Sequence, residues 1–149
     1  MLDENYIIGL VDGEGSFSVY VRNPKEKKKT KRRVVIEPRF YLKLQEGDEE
    51  ILWELKKFFR CGNVYFQRDK RKNHKDCFRY EVANRKDLKE IIIPFFKRYP
   101  LKIPSKKKDF EIFCQIMERI ERLRSNQTHL RKLSDIYRPT RFCICFFLF

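Results

Sequence analysis

Two carboxylates, Asp12 and Glu14, flank Gly13 near the start of the chain. The apolar run before them predicts a helix over residues 3–12, which places both acids at its C-terminal end, where the helix dipole is negative. A bound cation would offset that unfavourable placement, and clusters of oxygen ligands suit Mg²⁺ or Ca²⁺. The pair therefore predicts a site for a divalent cation. The alternative interpretation is a solvated acidic turn after an N-terminal helix.

The rest of the chain alternates between strand and helix patterns that would have to position these acids. Strict alternation of apolar and polar residues predicts the strands, and apolar stripes with capping residues predict the helices. The predicted elements are strands over residues 16–22, 34–45, 63–69 and 78–82, a helix from Asp48 to Arg60 that Gly62 ends, a short helix from Asn84 that Pro94 breaks or kinks, and a helix over residues 105–124. Pro38 is predicted to mark a bulge or an edge position in its strand.

This order predicts an α+β fold in which helices cover one face of a four-stranded antiparallel sheet. The uncovered face and the loops beside it carry basic, aromatic and amide side chains, which is typical of a sheet that reads a DNA groove. The candidates for DNA contact are Ser18, Tyr20, Arg22, Lys25, Lys27, Lys28, Lys29, Arg33, Arg39, Tyr41, Lys43, Tyr65, Gln67, Arg68, Arg71 and Arg79. The loop lysines would mostly hold phosphates, whereas the arginines and Gln67 on the strands can reach base edges.

Composition supports the same kind of partner. The chain has 149 residues and a formal net charge of +14, which favours nucleic acid over an anionic membrane surface. One domain is expected over residues 1–124, followed by a tail over residues 125–149 without an assigned role. Five cysteines, no basic leader and no apolar run of transmembrane length predict an intracellular protein with reduced thiols, in the cytoplasm, the nucleoid or an organelle, that is neither secreted nor in a membrane.

The segment Ile7–Gly15 resembles the LAGLIDADG motif of homing endonucleases. It keeps both glycines, both acids and the apolar frame, with Glu14 where the family more often has Asp. The predicted order of elements over residues 5–124 is similar to the family's αββαββα pattern. Further family-like stretches are Phe78–Val82, Ile92–Leu101 and Ser105–Phe110.

The resemblance implies a role for several residues. Glu14 would be the metal ligand, assisted by the backbone carbonyl of Gly13, and Asp12 would have a structural role. Gln45 and Lys106 would be peripheral catalytic groups, with Lys102 and Lys107 as alternatives to Lys106. The implied cofactor is Mg²⁺, for which Mn²⁺ or Ca²⁺ can substitute in binding.

The motif occurs once, so one chain supplies one candidate metal-binding acid, too few to cut both strands of a duplex. Two chains related by a twofold axis would supply two. The resemblance implies that their first helices pair through Ile8, Gly9, Val11 and Asp12. We therefore predict a homodimeric, intron-encoded, Mg²⁺-dependent endonuclease that cuts double-stranded DNA at a long, near-palindromic site. The alternatives are a maturase that binds intron RNA and a non-catalytic DNA-binding regulator.

Overall fold

The computed structural model describes residues 2–22, 35–68 and 75–125. The elements occur in the predicted order. They are α1 (Glu4–Glu14), β1 (Gly15–Arg22), β2 (Val35–Gln45), α2 (Glu49–Phe59), β3 (Asn63–Gln67), β4 (Cys77–Val82), α3 (Arg85–Asp87), a π-helical segment (Leu88–Ile92), α4 (Ile93–Arg98) and α5 (Pro104–Ser125).

The four strands form one antiparallel sheet in the order β1-β2-β4-β3. Because side chains alternate along a strand, each strand turns one row of residues toward the helices. Phe17, Phe40, Leu42, Tyr80 and Val82 form that inner row and are buried. The predicted α+β architecture, with helices on one face of an open sheet, is therefore confirmed.

An aromatic cluster holds the helices to the inner face of the sheet. The ring of Phe17 in β1 lies at its centre, and its centroid is 5.0 to 5.5 Å from those of four other rings. These rings belong to Phe40, Phe96, Phe110 and Phe113. Because edge-to-face and offset pairs of rings add to the free energy of burial, this cluster joins β1 and β2 to α4 and α5.

The junction between α1 and β1 is unusually close. The N–H of Gly15 donates to the carbonyl of Val11 as the chain leaves the helix in an extended conformation. A Cβ at Gly15 would lie 2.5 Å from Cγ1 of Val11 and 2.7 Å from its carbonyl oxygen. Only glycine fits there, so the chain can turn directly from Glu14 into the sheet.

The structure decides three local predictions, at Gly62, Pro94 and Pro38. α2 ends at Phe59 through Arg60 in the left-handed region (φ 52°), and Gly62 (φ 74°) instead serves the turn into β3. Pro94 does not break its helix, because a π-helical turn precedes it and the N–H of Ile93 bonds to the carbonyl of Leu88, five residues back. Pro38 forms no bulge but has the predicted edge position: it pairs in regular register with Val19 on one side and lies beyond the end of the β2–β4 pairing on the other.

Replacing Gly15 by Ala should destabilise the protein by about 1–3 kcal/mol, because the new methyl group would overlap the backbone of Val11. Thermal and urea unfolding would measure the change. Gly9→Ala is the matched control, since nothing lies within 4 Å of a Cβ there and alanine favours the helix by about 1 kcal/mol. Equal stability of the two variants would mean that the close approach of Gly15 to Val11 does not constrain the chain.

Candidate active site and nucleic-acid interface

Asp12 is buried and is held by the chain itself. Its side chain accepts hydrogen bonds from the backbone N–H groups of Lys102 (2.8 Å) and Ile103 (3.3 Å), just before α5 begins at Pro104. Only 6% of the residue is exposed. The unfavourable position of this acid at the end of α1 is therefore compensated by N–H donors at the start of α5, where a negative charge is favoured.

Lys106 is brought to the end of the motif from the first turn of α5. Its Nζ donates to the carbonyl oxygen of Gly15 at 2.5 Å, next to Glu14 in the chain. Among the three lysines that the sequence left open, Lys102 and Lys107 have exposed side chains, and Lys102 contacts the motif through its backbone. Of the three, Lys106 is the lysine whose ammonium group contacts the motif.

Glu14 and Gly13 are exposed at the C-terminus of α1 and fit a hard divalent cation. The final carbonyl groups of a helix lack intrahelical N–H partners, so a backbone oxygen is available beside the Glu14 carboxylate. Carboxylate and carbonyl oxygens are the donors that Mg²⁺ and Ca²⁺ prefer. Within the ranges 2–22, 35–68 and 75–125, no group of three or more His, Cys, Asp or Glu side chains is clustered for metal binding.

Gln45 lies at the last position of β2, on the open side of the sheet and exposed. The first residue of β1, Gly15, pairs with Leu42. Gln45 is therefore three residues, or about 10 Å, farther along β2 than the end of the motif. The structure places it at the same end of the sheet as Glu14, without a direct contact between them in the described residues.

The exposed side of α1 includes only part of the residues predicted to form the dimer interface. Ile8, Val11 and Asp12 are buried within the single chain, whereas Gly9 and Gly13 are exposed and have open space beside them. Tyr6 lies on the same side of the helix, with 47% of its surface exposed. Of the four residues predicted to meet a second chain, Gly9 is the one whose surface is available.

The open face of the sheet carries the predicted DNA contacts in paired rows. Ser18 pairs with Arg39, Lys43 with Arg79, and Arg79 in turn with Tyr65. Tyr20, Lys43, Tyr65 and Arg68 are exposed or nearly so, while Tyr41, Gln67, Arg39 and Arg79 are partly buried. Arg22 is described only as a backbone member of β1, and Lys25, Lys27, Lys28, Lys29, Arg33 and Arg71 lie outside the described residues.

Two glutamates, which the sequence analysis did not single out, lie among these basic residues. Arg39 contacts Glu37 (Nη2 to Oε2, 2.8 Å) and Glu81 (Nη1 to Oε1, 3.1 Å), and Arg79 contacts Glu81 (Nη2 to Oε2, 2.7 Å). Alternation alone puts Glu37 beside Arg39 and Glu81 beside Arg79 on the open face, whereas the contact of Arg39 with Glu81 depends on the register of β2 against β4. Burial alone would lower the pKa of Arg39, but its hydrogen bond to Glu37 and the negative charges of Glu81 and Glu37 raise it above its ordinary value.

Each of these arginines also stacks on a tyrosine. The guanidinium of Arg79 lies 3.8 Å from the ring centroid of Tyr41, and that of Arg39 lies 5.0 Å from the ring of Tyr20. Stacking and ion pairing together hold both guanidinium groups close to the sheet.

Residues 7–117 match the LAGLIDADG endonuclease family. The chain belongs to this family, as the Ile7–Gly15 motif and the αββαββα order predicted.

Similar proteins and structures agree with this assignment. A probable intron-encoded DNA endonuclease of Mycosarcoma maydis is 32% identical over 111 residues, which are 74% of this chain and 35% of that protein. The homing endonuclease I-ApeII of Aeropyrum pernix is 26% identical over 133 residues, 89% of this chain and 73% of that protein. The chain thus spans about a third of the first of these relatives.

The homing endonuclease I-TnaI has a similar crystal structure, with a TM-score of 0.69 and 34% identity over 91% of this chain and 82% of that one. I-SmaMI, bound to an uncleaved DNA target in the presence of calcium ions, gives a TM-score of 0.67 and 29% identity over 87% of this chain and 40% of that one. Each of these proteins is named as an endonuclease.

In the part of the chain that the structure describes, no helix is both long enough and apolar enough to cross a membrane.

Cys61, Cys77 and Cys114 are buried free thiols.

Asp12→Ala should destabilise the protein by about 1–3 kcal/mol, because it leaves the N–H groups of Lys102 and Ile103 without their charged acceptor in a partly buried site. Chemical unfolding would measure the loss. Asp12→Asn should lose less stability, since its amide oxygen can still accept one hydrogen bond. If Asp12→Ala were as stable as the native protein, the hydrogen bonds between Asp12 and the segment before α5 would contribute nothing to the free energy of unfolding.

Proposed function

We propose that this protein is a homodimeric, divalent-metal-dependent endonuclease that cuts double-stranded DNA at a specific site. The observation that carries the proposal is the contact of Lys106 with the carbonyl of Gly15, 91 residues away in the chain and directly after the exposed Glu14. Both lie at the end of an open sheet lined with arginine, lysine and tyrosine. Intron-encoded relatives and DNA-bound relatives on the same fold support it.

The residues would divide the work according to their chemistry. Glu14 and the Gly13 carbonyl would hold Mg²⁺, which supplies activation of water and neutralisation of charge on the phosphate. Lys106, already fixed on Gly15, would place a positive charge where negative charge develops on the phosphate and the leaving oxygen. Gln45 would hydrogen-bond water at the outer end of the same site. The open sheet would lie in the DNA groove and align the scissile bond.

A cleavage selection on a randomised duplex library tests the activity directly. With Mg²⁺, we expect cutting at one long, near-palindromic site. We expect no cutting with EDTA or with Glu14→Gln, because both remove the metal or its ligand while leaving the sheet intact. Sequencing of cut ends is the measurement. Selective binding without cutting in Mg²⁺, Mn²⁺ or Ca²⁺ would contradict the enzymatic proposal and favour a regulator.

The lysines provide a matched pair within the same assay. Lys106→Met should lower the single-turnover cleavage rate by about 10²-fold, with little change in affinity, since its charge acts on the developing charge at the phosphate. Lys107→Met removes an equal charge from the next residue of α5 and should change the rate little. An equal loss in both variants would indicate that Lys106 merely contributes to general attraction of DNA.

Dimerisation through α1 is tested by Gly9→Gln. Gly9 is exposed with open space beside it, so a long neutral side chain should leave the protomer stable and obstruct the approach of a second helix. Sedimentation velocity should then show one chain in place of two. Ile112→Gln, at an exposed position on α5, is the control and should remain dimeric. If Gly9→Gln also stays dimeric, α1 is not the dimer contact.

A further inference from the structure

Glu37 and Glu81 put negative charge on the face of the sheet that we propose to bind DNA. A surface that binds a polyanion gains affinity from positive charge. Yet Glu81 stands in the middle strand pair, opposite Tyr41 on β2 and Asn63 on β3. Its two oxygens are shared between two arginines: Oε1 contacts Arg39 and Oε2 contacts Arg79.

The cluster formed by Arg39, Arg79, Glu37 and Glu81 carries two positive and two negative charges and is therefore neutral. The side chains of Arg79 and Glu81 are only 15% and 12% exposed. Arg79 is further held by the ring of Tyr41 at 3.8 Å. In this arrangement neither arginine is free to act as a mobile cation toward phosphates.

The same cluster contains hydrogen-bond donors that are not used. Among the described residues, Nε of Arg39, Nε and Nη2 of Arg79 and the hydroxyl of Ser18 are buried without a hydrogen-bond partner. The contact of Arg79 Nη2 with Glu81 is thus an ion pair without hydrogen-bond geometry. Buried donors that lack an acceptor raise the free energy of the unbound protein. Base-edge acceptors, such as guanine O6 and N7, have the geometry to satisfy guanidinium donors.

We infer that Glu81 is a specificity-determining positioning residue, which holds Arg39 and Arg79 away from phosphates so that they engage DNA only where base edges offer acceptors. The inference rests on the proposed function, because it requires DNA on the open face of the sheet. On a random duplex, a phosphate contact would only replace an existing carboxylate partner and so bring little net gain, whereas the right base edges would satisfy donors that have no acceptor in the unbound protein. Specificity arises here by lowering the affinity for the wrong sequences.

The test compares the native protein with Glu81→Gln, in Ca²⁺ in place of Mg²⁺. Two quantities are measured: affinity for a random-sequence duplex between about 50 and 300 mM salt, and base preference in a binding selection on a randomised library. Glu81→Gln should bind the random duplex more tightly, and log K against log salt should steepen by about 0.9 for each additional phosphate that the protein neutralises. Base preference at the positions that the native protein reads most strongly should fall about tenfold.

Glu121→Gln is the matched control. It removes the same charge from α5, on the helical side of the molecule, where Glu121 pairs with Lys89. Glu121→Gln should keep the native base preference. If both variants change affinity and preference alike, the effect is one of net charge and the inference is overturned.

Two further variants separate the effect of side-chain geometry from the effect of charge. Glu81→Asp keeps the charge but shortens the reach to both arginines, so it should lose part of the base preference. Glu37→Gln removes one partner of Arg39 and leaves both contacts of Glu81 in place, so it should steepen the salt dependence less than Glu81→Gln. Thermal melts confirm that each variant is folded.

The outcomes also distinguish this inference from the proposed function. Should the native protein bind duplexes without any base preference, site-specific recognition fails and this inference fails with it. If the native protein is selective and Glu81→Gln retains that selectivity, only the role of Glu81 is rejected.

Discussion

The hydrogen bonds from Lys102 and Ile103 to Asp12 are the constraint on which the candidate site depends. Asp12 lies at the end of α1 and the two donors lie at the entry to α5. Joining them brings segments 90 residues apart into contact, and the first turn of α5 then places Lys106 on the Gly15 carbonyl. Without this junction, nothing would hold Lys106 of α5 beside Glu14 of α1.

The close turn at Gly15 complements that junction. Because no Cβ fits against Val11, the helix passes into β1 without a connecting loop. Glu14 is consequently both the last residue of α1 and the neighbour of the first sheet residue. A metal held by Glu14 would therefore lie at the margin of the sheet that we propose to bind DNA, and the aromatic cluster around Phe17 anchors the same strand from the inner side.

The open face of the sheet combines attraction with restraint. The chain's net charge of +14 favours any polyanion, which by itself gives affinity without sequence information. The paired charges of Arg39, Arg79, Glu37 and Glu81 form a neutral area within that surface. Such an area contributes little affinity for phosphates. In our interpretation, the residues that discriminate between DNA sequences therefore lie where the sheet is least positively charged.

The order of elements, the inner and outer rows of the sheet and the candidate acids follow from the amino-acid pattern, because helix and strand periodicities are local properties of the chain. The same locality explains the errors at Gly62 and Pro94, where Arg60 took the left-handed position and a π-helical turn accommodated the proline. Three contacts could be recognised only in the folded chain. N–H groups compensate the charge of Asp12, Lys106 rather than Lys102 or Lys107 reaches the motif through its side chain, and Glu81 joins two arginines. Those contacts depend on helix docking and strand register, which bring together residues whose spacing along the chain carries no signal of their proximity.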